Sequence, residues 1–141
     1  MTIRTIDVSA LSPVLPDLHA EQMGIDPDVG TWIAEIGAEG EILGVARITE
    51  VEGARTIDDV WVRPHARNSG IASSLLDHAG TPVWLICDDD MIAFYERRGF
   101  TLVGSAEFPR ALVDLYGARG EWPAADHVHH AMVKRAPVAR E

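Results

Sequence analysis

Cations are scarce in this chain of 141 residues, where 12 Lys plus Arg stand against 22 Asp plus Glu for a formal net charge of -10. A protein that wraps phosphate-rich nucleic acid needs the opposite sign, so DNA and RNA are excluded as expected partners. Cysteine is nearly absent. Cys87 alone rules out an internal disulfide framework and fits a reducing compartment. No apolar run approaches the length of a membrane span, and residues 1–7 have no apolar stretch followed by a small-residue cleavage site. The expectation is a cytoplasmic protein with no membrane partner. Repeats, low-complexity tracts and Ser/Gly linkers are also missing, so residues 1–141 are expected to form one domain. What is plentiful is apolar side chain, 47% against 24% charged, enough for a packed core at this length.

The pattern of the chain alternates between the two hydrophobic periods. Residues 2–7 read as an edge strand, and Ser9 or Ser12 as the cap of a helix running through Leu15, Leu18 and Met23. Residues 31–36, 42–48 and 56–62 are β-rich runs separated by Gly-containing turns, which predicts a three-stranded antiparallel meander. The period then changes. Ile71, Leu75, Leu76 and Ala79 fall on one face of a helix starting near Ser69 and stopping at Gly80. A buried strand at 83–87 precedes a helix from about Met91 to Arg98, capped by the acids 88–90 and stopped at Gly99 and Phe100 in a Schellman-type turn. Residues 101–103 continue as a strand, a loop runs to about Asp126, and 127–134 closes as a last strand. The core unit is β-α-β-α-β behind a meander, an α/β layout with a mixed sheet.

The junction of strand and helix at 62–72 is the most informative stretch. Small residues cluster where the helix begins, free N–H groups point along its axis, and Gly70 and Ala72 leave no side chain in the way of a phosphate. Asn68 tolerates left-handed backbone and Arg67 adds a permanent cation. The same residues also suit a plain capped helix after a surface loop. They form neither a Walker A sequence nor a full G-x-G-x-x-G fingerprint. On the next helix Tyr95 carries a phenol that is protonated at neutral pH and able to donate to a departing anion; at this spacing a tyrosine is equally a half-buried core residue.

Taken together, Arg67-x-x-Gly70-x-Ala72 after a strand ending Val62-x-Pro64, then a strand, Phe94-Tyr95 and Gly99-Phe100, resemble the GCN5-related N-acetyltransferase (GNAT) family over about residues 42–104. The resemblance implies a GNAT-like α/β fold: a mixed, mostly antiparallel sheet of six or seven strands flanked by helices, with a splay between its two central strands. It implies acetyl-CoA as co-substrate and direct attack of an amine on the thioester in a ternary complex, with no metal. Carried over by residue, the cofactor's pyrophosphate falls to Arg67, Asn68, Ser69, Gly70, Ile71, Ala72 and Ser73, its pantetheine arm to Trp61 and Val62, and protonation of the thiolate to Tyr95. A protein of this kind acts on a small-molecule or peptide amine. The acidic net charge suits a cationic one, and a homodimer is left open.

An amine near pKa ~10 must lose a proton before it attacks. Ile57-Asp58-Asp59-Val60 resembles the corresponding stretch of polyamine and glucosamine-phosphate acetyltransferases, where the first acid is the base. By strand parity Asp58 shares a face with Val60 and Val62 while Asp59 points the other way, unless a bulge intervenes. Asp58 is expected to act as the base through water and Asp59 to orient the acceptor; both also fit a solvated strand face. The sequence departs from the family at Asn68, in place of the usual first glycine, and in the short stretch from Leu76 to Val83, which predicts a shortened helix. Asp88 and Met91 stand where many members carry Asn and Ala. His127, His129 and His130 read as a surface strand rather than a metal site, and Cys87 as a small buried hydrophobe. The alternative from another class is a catalytically silent GNAT-like module that binds CoA or a protein.

Overall fold

The computed structural model describes residues 2–21, 29–118 and 129–136. Its seven strands are β1 (Thr2–Ile6), β2 (Thr31–Ile36), β3 (Ile42–Val51), β4 (Ala54–Val62), β5 (Val83–Asp88), β6 (Thr101–Val103) and β7 (His129–Lys134). Among the described residues four α-helices accompany them: α1 (Leu15–Glu21), α2 (Ile71–His78), α3 (Ile92–Glu96) and α4 (Arg110–Ala118). The strand order is β1-β2-β3-β4-β5-β7-β6, with β4 and β5 parallel at Thr56↔Trp84 and the β1–β2, β2–β3, β5–β7 and β6–β7 pairs antiparallel. This is the mixed sheet expected of the sequence.

Contacts group the chain into two compact units, Met1–Thr49 with Ile57–Ala79 and Glu50–Thr56 with Gly80–Glu141. In the first, the period of two along β2 sends its side chains to two different helices. Trp32, Ala34 and Ile36 join Val45, Trp61 and the side chains Leu11, Val14 and Leu18. Ile33 joins Ala46, Ile71 and Leu75 on the other face. Ile71, Leu75, Leu76 and Ala79 are all buried, as the helical spacing predicts. Full burial of an aliphatic side chain is worth about 1.5–3 kcal/mol, so this face fixes α2 on the sheet. Gly44 sets how closely α2 starts: a Cβ there would lie 2.9 Å from Ile71 Cγ2 and 3.0 Å from the Trp61 carbonyl oxygen. The N-terminal helix differs from its expected form. A 3-10 turn at Val8–Leu11 comes first, and the Ser12 hydroxyl donates to the Ser9 carbonyl (2.9 Å) instead of capping α1. Met23 lies outside the described residues.

In the second unit β5 pairs with β7 from Val83↔Lys134 to Asp88↔His129, and β7 with β6. Phe108, Leu112, Tyr116 and Ala131 form its core, with Trp84 edge-on to Phe108 at 5.3 Å. The region read as a loop up to residue 126 contains α4. Pro109 and Gly117 look like breakers, but Pro109 stands at the threshold of the helix, where a missing N–H costs nothing, and its carbonyl accepts from the Val113 amide (3.0 Å). Leu112 and Tyr116, four apart, supply the buried face. The helix expected over 91–98 is shorter: a 3-10 turn at Asp89–Met91 leads into α3. Its stop is as expected. Gly99 adopts φ 92, and the Gly99 and Phe100 amides donate to the carbonyls of Glu96 (3.1 Å) and Tyr95 (3.1 Å), the crossed pair of a Schellman turn.

Candidate active site

The stretch 67–72 forms the left-handed turn that its composition predicts. Asn68 has φ 66, and Gly70, the residue before α2, has φ 85 and ψ 4. Amides of residues 71–73 precede the first intrahelical bond, from the Ser74 amide to the Gly70 carbonyl (3.0 Å), and carry the positive end of the helix. No heavy atom lies within 4 Å of where a Gly70 Cβ would stand, and residues 67–70 are exposed. Ile71 is buried against Gly44, which anchors this open mouth to β3. The helix behind it has only eight residues, the shortening expected from the sequence.

Side chains support the turn from behind. The Ser69 hydroxyl donates to the Ala66 carbonyl and is thereby engaged within the turn. Arg67 donates through Nε to the Val62 carbonyl (2.9 Å) and through Nη2 to Glu21 Oε2 (2.7 Å). Trp61, buried in the sheet core, donates its indole N–H to the same Glu21 oxygen (3.2 Å). Glu21 carries no motif in the sequence; only the fold brings α1 to the end of β4. Ala72 and Ser73 are half-buried in the first turn of α2.

Asp58 and Asp59 do not follow strand parity. Across the two-residue turn at Glu52 (φ 49) and Gly53 (φ 83), Arg55 pairs with Glu50 at 2.9 Å; at the far end the Arg63 amide donates to the Leu43 carbonyl at 2.8 Å. From 55 to 63 the chain takes one step more than from 50 to 43, so β4 carries an extra residue, a β-bulge. The carboxylates locate it. Asp58 accepts from Thr49 Oγ1 (2.6 Å) and Asp59 from Arg47 Nε (2.6 Å), two positions of β3 that share a face. The bulge thus turns both consecutive acids toward one side, where parity alone would separate them.

Their environments differ. Asp59 and Arg47 form an ion pair with side chains only 13% and 11% exposed, and the Arg47 guanidinium lies 5.8 Å from the Trp32 ring centre. Asn at position 59 would replace with a neutral group the charged partner that the largely buried Arg47 meets at 2.6 Å. Asp58 accepts from the Thr49 hydroxyl, a hydrogen bond that the carbonyl oxygen of Asn can also accept. Asp59→Asn is therefore expected to lower stability by about 2–3 kcal/mol, somewhat less than the loss of one partner of a fully buried pair. Asp58→Asn should cost under about 1 kcal/mol, and urea denaturation of the two variants makes the comparison.

In the second unit Tyr95 is half-buried on α3, with Phe94 (5.0 Å) and Phe100 (5.5 Å) edge-on to its ring. Arg98 stacks on Phe94 at 3.6 Å and donates to its carbonyl, and burial lowers the Arg98 pKa. Asp88 does not cap the following turn, because Asp88 and Asp89 pair with His129 (3.3 Å) and His130 respectively. Those consecutive histidines each pair with a separate carboxylate, and among the described residues no group of three or more His, Cys, Asp or Glu is placed to hold a metal; His127 lies outside them. Cys87 is buried beside Met132 (3.7 Å), and burial, reinforced by Asp88, Asp89 and Asp90, pushes its thiol up to about 11. Stability from this neutral thiol is complete below its ordinary pKa near 9.0 and is lost as pH rises through about 11. Alkylation by iodoacetamide is accordingly expected to be negligible at pH 8 in the folded protein and to appear only on unfolding. Among the described residues no helix is long and apolar enough to cross a membrane.

A family model described as an acetyltransferase (GNAT) domain matches residues 27–102. No curated protein sequence matches the chain. Among solved structures, the chain is similar to N-acetylglutamate synthase from Neisseria gonorrhoeae complexed with coenzyme A and N-acetyl-glutamate, with TM-score 0.72, 17% identity and 95% of this chain covered. The match spans only 34% of the length of that synthase. A Mycobacterium tuberculosis protein, Rv2747, in complex with CoA and NLQ, superposes with TM-score 0.72 at 11% identity, covering 97% of this chain and 100% of that one. ElaA of Escherichia coli gives 0.62 at 17% identity, over 95% and 99%. At these identities the likeness is one of fold.

Proposed function

Because the chain belongs to the GNAT acetyltransferase family, the model of which covers more than half of it, we propose that it transfers an acetyl group from acetyl-CoA to an amine. The observation that carries the proposal is the open, left-handed Gly70 at the positive end of α2 beside Arg67. A diphosphate suits such a mouth because the amides at the positive end of a helix attract an anion and the space beside Gly70 is open. Arg67 supplies the charge, the amides of Asn68, Ser69, Gly70, Ile71, Ala72 and Ser73 the hydrogen bonds, and β4 at Trp61 and Val62 the edge for the pantetheine arm.

The reaction needs a neutral amine, a polarised thioester and a proton for sulfur. Asp58 is the base: its carboxylate takes the ammonium proton through water, and nitrogen then attacks the thioester carbonyl. The new C–N bond forms as the C–S bond breaks, the nitrogen releases its second proton to solvent, and Tyr95 gives the departing thiolate its proton and regains one from solvent. Asp59 is less suited to this work, since its carboxylate is engaged by Arg47 at 2.6 Å; its part is to hold Arg47 near Trp32. The acceptor is a small molecule or peptide amine, and the net charge of -10 suits a cationic one. Similar folds solved with N-acetyl-glutamate and named for spermidine acetylation are consistent with small amines as the class.

Incubation with acetyl-CoA and a panel of primary amines, with free thiol read by a chromogenic disulfide, tests the proposal. Thiol release that depends on one class of amine is expected. Binding of acetyl-CoA with no release from any amine would instead identify a silent cofactor-binding module.

A further inference from the structure

Glu21 has no place in the chemistry above, yet it joins two of its parts. Its Oε2 accepts from Arg67 Nη2 at 2.7 Å and from Trp61 Nε1 at 3.2 Å. Arg67 is the only cation of the turn 67–72, and its Nε is committed to the Val62 carbonyl at 2.9 Å. The guanidinium is thus held between the end of α1 and the end of β4. Both side chains of the ion pair are partly exposed, 44% for Arg67 and 41% for Glu21, so the pair is weak enough for a multiply charged anion to displace.

We propose that Glu21 is a positioning residue for Arg67 and competes with the cofactor's diphosphate for it. The inference rests on the assignment of the diphosphate to residues 67–72. With no cofactor, Glu21 keeps Arg67 neutralised beside Trp61. A diphosphate on the amides of the turn draws the guanidinium off Glu21, and part of its binding energy is spent on breaking that contact. Glu21 therefore weakens cofactor binding, and it acts only through Arg67 and only on ligands that carry the diphosphate.

Calorimetric titration of coenzyme A and of pantetheine into the wild type, Glu21→Gln, Arg67→Gln and the double variant tests this. The side-chain amide introduced by Glu21→Gln still accepts from Trp61, so thermal melting should change little and the comparison stays valid. Glu21→Gln is expected to tighten coenzyme A binding about twofold to fivefold, the range of an exposed ion pair, and to leave pantetheine unaffected. In the Arg67→Gln background the same change should have no effect, which separates action through Arg67 from a general loss of negative charge. Unchanged or weaker coenzyme A binding in Glu21→Gln overturns the inference, as does an equal gain in the Arg67→Gln background. If the wild type binds no coenzyme A, it is the cofactor assignment itself that fails.

Discussion

Gly70→Glu is expected to abolish coenzyme A binding while the protein remains folded. Two costs are involved, of different sizes. A side chain at φ 85 is strained by about 1–2 kcal/mol, and space is available for it, since no heavy atom lies within 4 Å of the Cβ position. The larger cost falls on the ligand: a carboxylate at the mouth of the turn meets a diphosphate of the same sign, a juxtaposition worth several kcal/mol. Affinity should fall by more than about 100-fold, at a ratio of tenfold per about 1.4 kcal/mol. Gly70→Ala carries the backbone strain without the charge, and should show the loss of stability with a much smaller loss of affinity. Calorimetry with coenzyme A and thermal melting of both variants separate the two contributions.

The second large effect is kinetic. Tyr95→Phe removes the phenolic proton and keeps the ring that packs edge-on to Phe94 and Phe100, so turnover should fall by about 100-fold or more with coenzyme A affinity unchanged. Asp58→Asn should lower turnover at neutral pH by a similar factor, for a different reason. The base is needed because an alkyl amine near pKa ~10 is protonated there, so raising the pH toward 10 should restore much of the Asp58→Asn rate and none of the Tyr95→Phe rate. Pre-steady-state thiol release across pH 6–10 measures both. Equal turnover in all three proteins would remove Tyr95 and Asp58 from the chemistry and leave the cofactor turn untouched.

How much of this was legible in the sequence depends on the range of the interaction involved. Local rules were enough for the turn: glycine and asparagine at left-handed positions, small residues before an apolar helical face, and the Gly99-Phe100 stop are all set by residues within one or two turns of chain. The short α2 was equally visible, in the few residues between Leu76 and the next strand. α4 was hidden because Pro109 and Gly117 read as breakers, whereas one precedes the helix and the other lies near its end. The bulge at Asp58 and Asp59 was out of reach for a deeper reason. Register belongs to a pair of strands, and nothing in β4 alone records that β3 is one residue shorter over the same span. Glu21 is the extreme case, since its partners lie 40 and 46 residues away and only the docking of α1 brings them together.

The proposed cofactor site is the main chain of residues 67–72, where the diphosphate would be held. Titrating the unmodified protein with coenzyme A and, in parallel, with pantetheine tests it most directly. Saturable heat with coenzyme A that weakens as salt is raised, and far weaker binding of pantetheine, is the predicted result. Equal affinity for the two ligands, or no heat with either, would contradict it.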